Sequence, residues 1–482
     1  MFDGVLAQFG LNVEDGENLI KTNAAEVLSD LDFLAMELDK WLHGKKRREM
    51  LDGKEYYRYE VQPFHNKKLW GKDADGCPTF IDESFPRTVD NQYAKLVDQK
   101  VNYLLGKPFS LQTNNETYRE WLTQIFDKVF LRSLQGVTSN AFNEGLAWIY
   151  PFLNENGVLA FKVFPADEVL PFWKDDEHTE LDLALRTYIT VLYVGRTETY
   201  VQHVDVFKRD KVEHYLFQNG VLREDTEAPD EPFSWGRVPL VAFKYNAQEI
   251  PLLRRVRYLQ DNYSRMRSNW DKNMTETVMD NILILRNYGG ENLKEFRDNL
   301  MHYGAVKVRD DGGVEVLRLD RDAGSYVEYL KNTKQAIIEN GRGFDAKDDR
   351  VNSNPNEMNL RSIYSDIDLD ADMMEQQYQA AFDQLLFFVD DYLKRAGAGD
   401  FSREEVVFTF NRNMIVNDAE TIEEIRSSQG IVSQETLLTR HPFVQNVREE
   451  QERLKKERRE QESAMDTYGQ AFGKQERETD EK

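Results

Sequence analysis

A single cysteine, Cys77, leaves this 482-residue chain unable to form an internal disulfide and fits a reducing cytoplasmic origin. No apolar run approaches the roughly twenty residues that span a bilayer. Met1–Gly10 also lacks the basic and apolar regions of a secretory signal, so the expectation is a soluble intracellular product. Positive charge is short as well: 62 Lys and Arg face 86 Asp and Glu, a formal net charge of −24. Bulk attraction to nucleic acid or an anionic membrane is thereby disfavoured. There is no G-x-x-x-x-G-K-S/T phosphate loop, and Gly341-Arg342-Gly343 lacks the strand–loop–helix setting of one. His43, His302 and His441 are isolated, and no Cys/His cluster has ligand spacing. These absences predict a non-enzymatic protein without cofactor or metal.

What is present is length, with 40% hydrophobic residues, enough for two or more domains. Leu252, Val256, Leu259, Tyr263, Met266 and Trp270 recur at steps of four and three, a narrow apolar stripe on a helix about 45 Å long. A stripe this narrow on a long helix predicts packing against neighbouring subunits. A βαββ insert follows, with a strand at Ile282–Leu285, a helix at Glu291–His302, and a hairpin of Ala305–Val308 with Val314–Leu319. A second helix, Ser325–Asn340, stops at Gly341. The polar loop Phe344–Ser353 leads to a third helix of nearly forty residues, for which Asn354, Pro355 and Glu357 form a start signal.

Before residue 250, Ala24–Leu42 and Asn91–Leu105 carry amphipathic helical patterns, and residues 117–147 add further helices. The basic run Lys45–Arg48 reads as the solvated end of the first of these. The strand pairs Trp148–Leu153 with Val158–Phe164, and Tyr200–Phe207 with Val212–Phe217, predict an antiparallel meander closed by Val238–Phe243. A lone strand at Val406–Phe410 needs a sheet elsewhere, and the β-rich region before residue 250 is the obvious one. Residues 449–482 are charged enough to expect a frayed helix or disorder.

Two charged sets invite sharper readings. Asp366, Asp368, Asp370 and Asp372 resemble a calcium loop, but its sixth and twelfth positions hold Ala371 and Gln377 where Gly and Glu are required. A solvated helix face is the default there. Arg254, Arg255, Arg257, Arg265 and Arg267 line the first long helix, with subunit-to-subunit pairing as the default and a sparse phosphate contact as the alternative.

Several segments together resemble the portal proteins of tailed double-stranded DNA bacteriophages with long non-contractile tails. They are Val97-Asp98 with Tyr103–Pro108, Asn143–Trp148, Val238–Val241, Asn417–Glu420 and Gly430–Leu437, and their order and spacing carry the likeness. The resemblance implies an α+β ring subunit with long stem helices, a small α/β clip, a mixed wing and a helical crown. The wing would be residues 1–249 with 401–417. The stem would be 250–281 and 321–343, and the clip 282–320. The tunnel loop would be 344–354, the long wing helix 355–396, the wing strand 397–417, the crown 418–448 and the charged tail 449–482. Lys347, Asp348, Asp349, Arg350 and Asn352 would then face DNA in the channel, and Ile284, Arg286, Glu295 and Arg297 would be docking candidates on the clip.

The implied function is a dodecameric ring at one capsid vertex of the virion, through which terminase packages DNA and from which DNA is later ejected. The implied partners are further copies of the chain, double-stranded DNA, the terminase large subunit, major capsid and scaffolding proteins, and a head–tail adaptor, with no membrane. The alternatives are an equivalent ring in a gene-transfer agent or defective prophage, and, in another class, a metal-dependent cytoplasmic nuclease.

Overall fold

The computed structural model describes residues 31–59, 68–72, 78–82, 90–194, 196–233, 235–275, 282–286, 313–317, 323–345, 357–412, 418–444, 447 and 450–460. The chain divides into two units. One comprises residues 1–102, 113–344 and 366–407, and the other 103–112, 345–365 and 408–482.

The first unit opens with α1 (Leu31–His43) and α2 (Lys45–Tyr57), followed by the hairpin β1 (Lys68–Lys72) and β2 (Pro78–Asp82). The Lys45–Arg48 run therefore begins a helix instead of ending one, a correction to the solvated-end reading. Cations at a helix N-terminus oppose its dipole, and here Lys46 is compensated by Glu249 at 2.7 Å while Arg47 donates to the Asp167 carbonyl.

Next come α3 (Gln92–Leu105), β3 (Ser110–Gln112), α4 (Glu116–Ile125) and α5 (Lys128–Glu144). The Asn115 and Asp127 side chains cap α4 and α5 by accepting from backbone N–H groups in their first turns. Helix α5 stops at Gly145, whose φ is +90°. A Cβ there would lie 2.1 Å from the Glu249 carbonyl oxygen, so only glycine lets the chain turn directly into a strand.

That strand, β4 (Leu146–Leu153), pairs with β5 (Leu159–Pro165) on one side and with β12 (Val241–Lys244) on the other. The expected meander thus divides, for its first pair, Trp148–Leu153 with Val158–Phe164, and its closing segment make a separate three-stranded sheet. The meander itself runs through β6 (Val169–Trp173), β7 (Leu181–Val194), β8 (Thr197–Phe207), β9 (Lys211–Gln218) and β10 (Val221–Glu224), with β11 (Glu231–Pro232) also on β9. Asn219 and Gly220 both take positive φ in the two-residue turn between β9 and β10, as the Asn-Gly signal requires. One apolar cluster joins both sheets through Trp148, Phe164, Phe207 and Leu240, and a second seats Leu34 and Leu38 of α1 on the meander at Leu185, Val204 and Val206.

The three long helices appear as α6 (Leu253–Thr275), α7 (Ala323–Asn340) and α8 (Glu357–Arg395). Between the first two, β13 (Ile282–Arg286) pairs antiparallel with β14 (Gly313–Leu317). The expected helix Glu291–His302 and strand Ala305–Val308 lie outside the described residues. In the second unit, Phe408 and Phe410 pack on Phe109, and Tyr103 stacks on Tyr364. The lone strand, β15 (Val407–Thr409), pairs with β3 and not with the meander. Aromatic side chains flanking both short strands supply the apolar contact that selects this partner. Beyond it lie α9 (Asp418–Ser427) and α10 (Gln434–Arg440).

Candidate functional site

Helix α8 buries Ile367, Met374, Tyr378, Phe382, Leu385, Val389 and Leu393 at steps of three and four. Asp370 falls in that same buried row and is only 2% exposed. The solvated-face reading is therefore wrong for Asp370. Among the described residues, no group of His, Cys, Asp or Glu forms a metal-binding cluster.

A buried carboxylate requires compensation, and Asp370 receives it from four side chains. Oδ2 accepts from Lys100 Nζ of α3 at 2.8 Å and from the Tyr245 hydroxyl at 2.7 Å. Oδ1 accepts from Arg255 of α6 at 2.9 Å and from Arg342, just beyond α7, at 3.4 Å. Burial raises the Asp370 carboxyl, but the Lys100 charge and these hydrogen bonds outweigh it and hold its pKa below the usual value. Burial pulls the Lys100 ammonium down to about 8, against the attraction of Asp370.

The same face of α3 fixes the chain where it leaves α7. Lys100 Nζ also donates to the Arg342 carbonyl, and the Gln99 amide both donates to the Phe344 carbonyl and accepts from the Phe344 N–H. Gly341 and Gly343 lie so close to Leu96 that a Cβ on either would fall within 2.6 Å of its methyl groups. The start of the polar loop is thus clamped. Its DNA-channel candidates Lys347, Asp348, Asp349, Arg350 and Asn352 lie outside the described residues, as do the docking candidates Glu295 and Arg297. Ile284 and Arg286 occupy β13, opposite Glu315 and Gly313.

The first long helix differs from expectation in how it is covered. Leu252, Val256 and Tyr263 are buried inside the chain itself, so they are not free for packing between subunits. Leu259, Met266 and Trp270 are half-buried, and Trp270 stacks on Tyr326 of α7 with ring centroids 4.6 Å apart. Helix α2, which sequence reasoning did not place there, lies along a polar flank of α6. Arg254 faces Glu49, Arg257 pairs with Asp52, and the Tyr56 hydroxyl donates to Asp261. All three pairs share one sequence offset, so α2 runs along α6 in the same direction, joined by a ladder of polar contacts. Together with Arg255 on Asp370, this makes the arginine pairing intrachain for Arg254, Arg255 and Arg257.

Two further acidic groups anchor the start of α6 and the end of α5. Glu249, 3% exposed, is held by Lys46, Lys244 and His178. Burial raises its carboxyl, and the His178 hydrogen bond with both lysine charges brings it far below the usual range. Glu144 is fully buried, and its Oε2 accepts from the Asp167 N–H while Oε1 meets no hydrogen-bond partner among the described residues. Asp167 in turn binds Lys54 of α2 at 2.5 Å. Burial, then the Asp167 charge, pushes the Glu144 carboxyl up to about 8.

A carboxyl whose folded pKa lies above its free value stabilises the fold fully below the free value, and that stabilisation is lost as pH rises through the folded one. Stability should therefore fall between about pH 4.5 and pH 8 on account of Glu144. Glu144→Gln should flatten that slope by on the order of 2 kcal/mol in urea unfolding at pH 5 and pH 8. An unchanged slope would show that Glu144 is already ionised in the fold.

These polar contacts tie α3, α6 and the end of α7 to α8, and α2 to α6, in one junction. Comparison with known proteins gives that junction its setting. Residues 43–464 match the family described as phage portal protein, SPP1 Gp6-like. The chain belongs to that portal family. The portal protein of Bacillus phage SPP1 is 29% identical over 423 residues, which cover 85% of this chain and 83% of that protein. The portal protein of Clostridium phage phiCD119 is 26% identical over 426 residues, covering 85% and 92%. A chain in the neck of an empty gene-transfer-agent particle aligns over 71% of this portal-family chain at 11% identity with a TM-score of 0.37.

Sequence reasoning missed the Asp370 junction, although a signal existed. Lys100 and Asp370 are charged residues at helical core positions, between Leu96 and Leu104 and between Ile367 and Met374. A charge in a buried row implies a partner in another element.

Proposed function

We propose that this portal subunit assembles into a closed ring, dodecameric in the virion, at one capsid vertex. Double-stranded DNA enters through it under the terminase large subunit and leaves through it at ejection. The observation that carries the reading is the family match across residues 43–464. The junction supports it in physical terms: pinned helices around a shared buried carboxylate give a rigid frame, and the clamped Phe344 gives a loop with a fixed root. An acidic chain with few basic contacts lets a polyanion slide, because each phosphate neutralised by Lys or Arg adds affinity that acts as friction.

On this reading, residues 344–354 form a collar that touches phosphates weakly through Lys347 and Arg350, and residues 282–320 form the end where terminase or an adaptor docks. Capsid and scaffolding proteins meet the remaining faces. The test is electron microscopy of the purified protein together with packaging in vitro. The expected result is rings from wild type, from a deletion of residues 347–351 and from Ile284→Asp, with DNA retention lost in the deletion and docking lost in Ile284→Asp. A stable monomer near 56.5 kDa at micromolar concentration would sink the ring. Full packaging by either variant would remove the role given to that segment.

A further inference from the structure

Strands β7 and β8 outrun their sheet. β6 pairs with β7 only as far as Arg186, and β9 pairs with β8 only from His203. Beyond those points, Ile189–Val194 and Thr197–Gln202 form a two-stranded ribbon with no further strand on either side among the described residues. A ribbon of two strands is marginal in water without an apolar face to cover. This one carries such a face, and nothing among the described residues covers it. Ile189, Val191 and Tyr193 alternate along β7, and the register sets Tyr200 directly opposite Val191. Side chains two apart on one strand, and directly opposite across an antiparallel pair, share a face. The four are 63%, 46%, 67% and 66% exposed respectively, which makes a continuous apolar stripe on a projecting element. Stripes of this kind mark interaction sites.

Charge selects the occupant. Copies of a chain with net charge −24 repel one another, so their contacts are favoured where charge is missing. From Thr187 to Gln202 only Arg196 and Glu198 are charged, which leaves the segment neutral, whereas 31% of the whole chain is charged. Glu198 is further engaged by the Tyr193 and Tyr200 hydroxyls, so its carboxylate does not cut across the stripe. A ring contact is heterologous and joins two different surfaces, so a projecting ribbon on one subunit can seat on a different face of the next.

We propose that the ribbon's stripe of Ile189, Val191, Tyr193 and Tyr200 docks on a second copy of this chain and holds neighbouring subunits together. This rests on the ring reading above. The test combines two variants of the full-length chain. Val191→Glu with Tyr193→Glu places like charges in the contact; both residues are exposed in the single chain, so the circular dichroism spectrum should match wild type. The ring fraction, read by sedimentation velocity, should fall at least tenfold. Separately, Tyr193→Cys in a Cys77→Ser background, labelled with benzophenone maleimide, should give inter-subunit photo-cross-links only in assembled rings. Rings that form undiminished in the double variant and give no cross-link would overturn the ribbon contact and leave the ring standing. A cross-link in virions solely to another virion protein would overturn it equally. A wild-type chain that stays monomeric would overturn the ring and the ribbon contact together.

Discussion

Asp370→Ala is expected to destabilise the chain by about 3–5 kcal/mol, the usual cost of removing one partner from a buried ion pair. The loss exceeds that of the Asp370 hydrogen bonds alone because of what it leaves behind. Lys100 is 2% exposed, and without Asp370 it faces Arg255 and Arg342 as a like charge with no carboxylate between them. Arg255 and Arg342 reach solvent in part and can be rehydrated, but Lys100 cannot without opening the contact between α3 and α8. Urea unfolding followed by circular dichroism reads the change. Replacing both partners, Asp370→Leu with Lys100→Met, should recover much of the stability, since an apolar pair of similar volume removes the uncompensated charge. A single variant within about 0.5 kcal/mol of wild type would show that the carboxylate does not compensate Lys100. The consequence should reach the loop as well. Lys100 also holds the Arg342 carbonyl, so a displaced Lys100 releases the root that Gln99 and Leu96 otherwise fix at Gly341–Phe344.

The long helices were legible because period and punctuation agreed. Residues 91–105 read as a helix ending before Gly106-Lys107-Pro108, and 355–396 as one helix behind a capping signal, and the helices form over Gln92–Leu105 and Glu357–Arg395. The hairpin through Asn219-Gly220 was legible for the same local reason. Strand partners were not. Val241–Lys244 and Val407–Thr409 each pair with a strand far away in sequence, and strand composition does not encode which edge is free. Strands β6 and β7 were overlooked because Val169–Trp173 is short and contains Pro171, while β7 carries apolar residues on both faces and lacks clean alternation. For the site, the stripe on α6 was read correctly as apolar, but its cover was assigned to neighbouring subunits. Its first half is buried inside the chain, and the polar flank of α6 meets α2, a helix so charged that its sequence, KKRREMLDGKEYY, shows almost no apolar face. A helix bound through polar pairs leaves no period to find. Loop and clip assignments came from family resemblance, and most of those residues lie outside the described ones.

Gly53 is the residue that lets this polar helix lie where it does, and Gly53→Ala is expected to cost about 3 kcal/mol, the upper part of the range for overpacking. Alanine is the better helix former by roughly 1 kcal/mol, so propensity alone predicts a gain. Contact decides otherwise. A Cβ on Gly53 would stand 1.8 Å from the Asn143 carbonyl oxygen and 2.8 Å from its carbon, and both are backbone atoms at the end of α5 that no rotamer change can move. Helix α2 would have to lift from α5 by more than 1 Å. That shift would strain Lys54 on Asp167, Asp52 on Arg257 and Tyr56 on Asp261 together, because all three side chains leave the same short helix. A matched substitution separates contact from propensity. Gly136 lies in the middle of α5 with nothing within 4 Å of its Cβ position, so Gly136→Ala should stabilise by about 0.5–1 kcal/mol. Opposite signs for the two substitutions in the same thermal unfolding assay would establish close backbone packing between α2 and α5. A neutral or stabilising Gly53→Ala would mean that α2 does not rest on Asn143, and the polar ladder along α6 would lose its geometric basis.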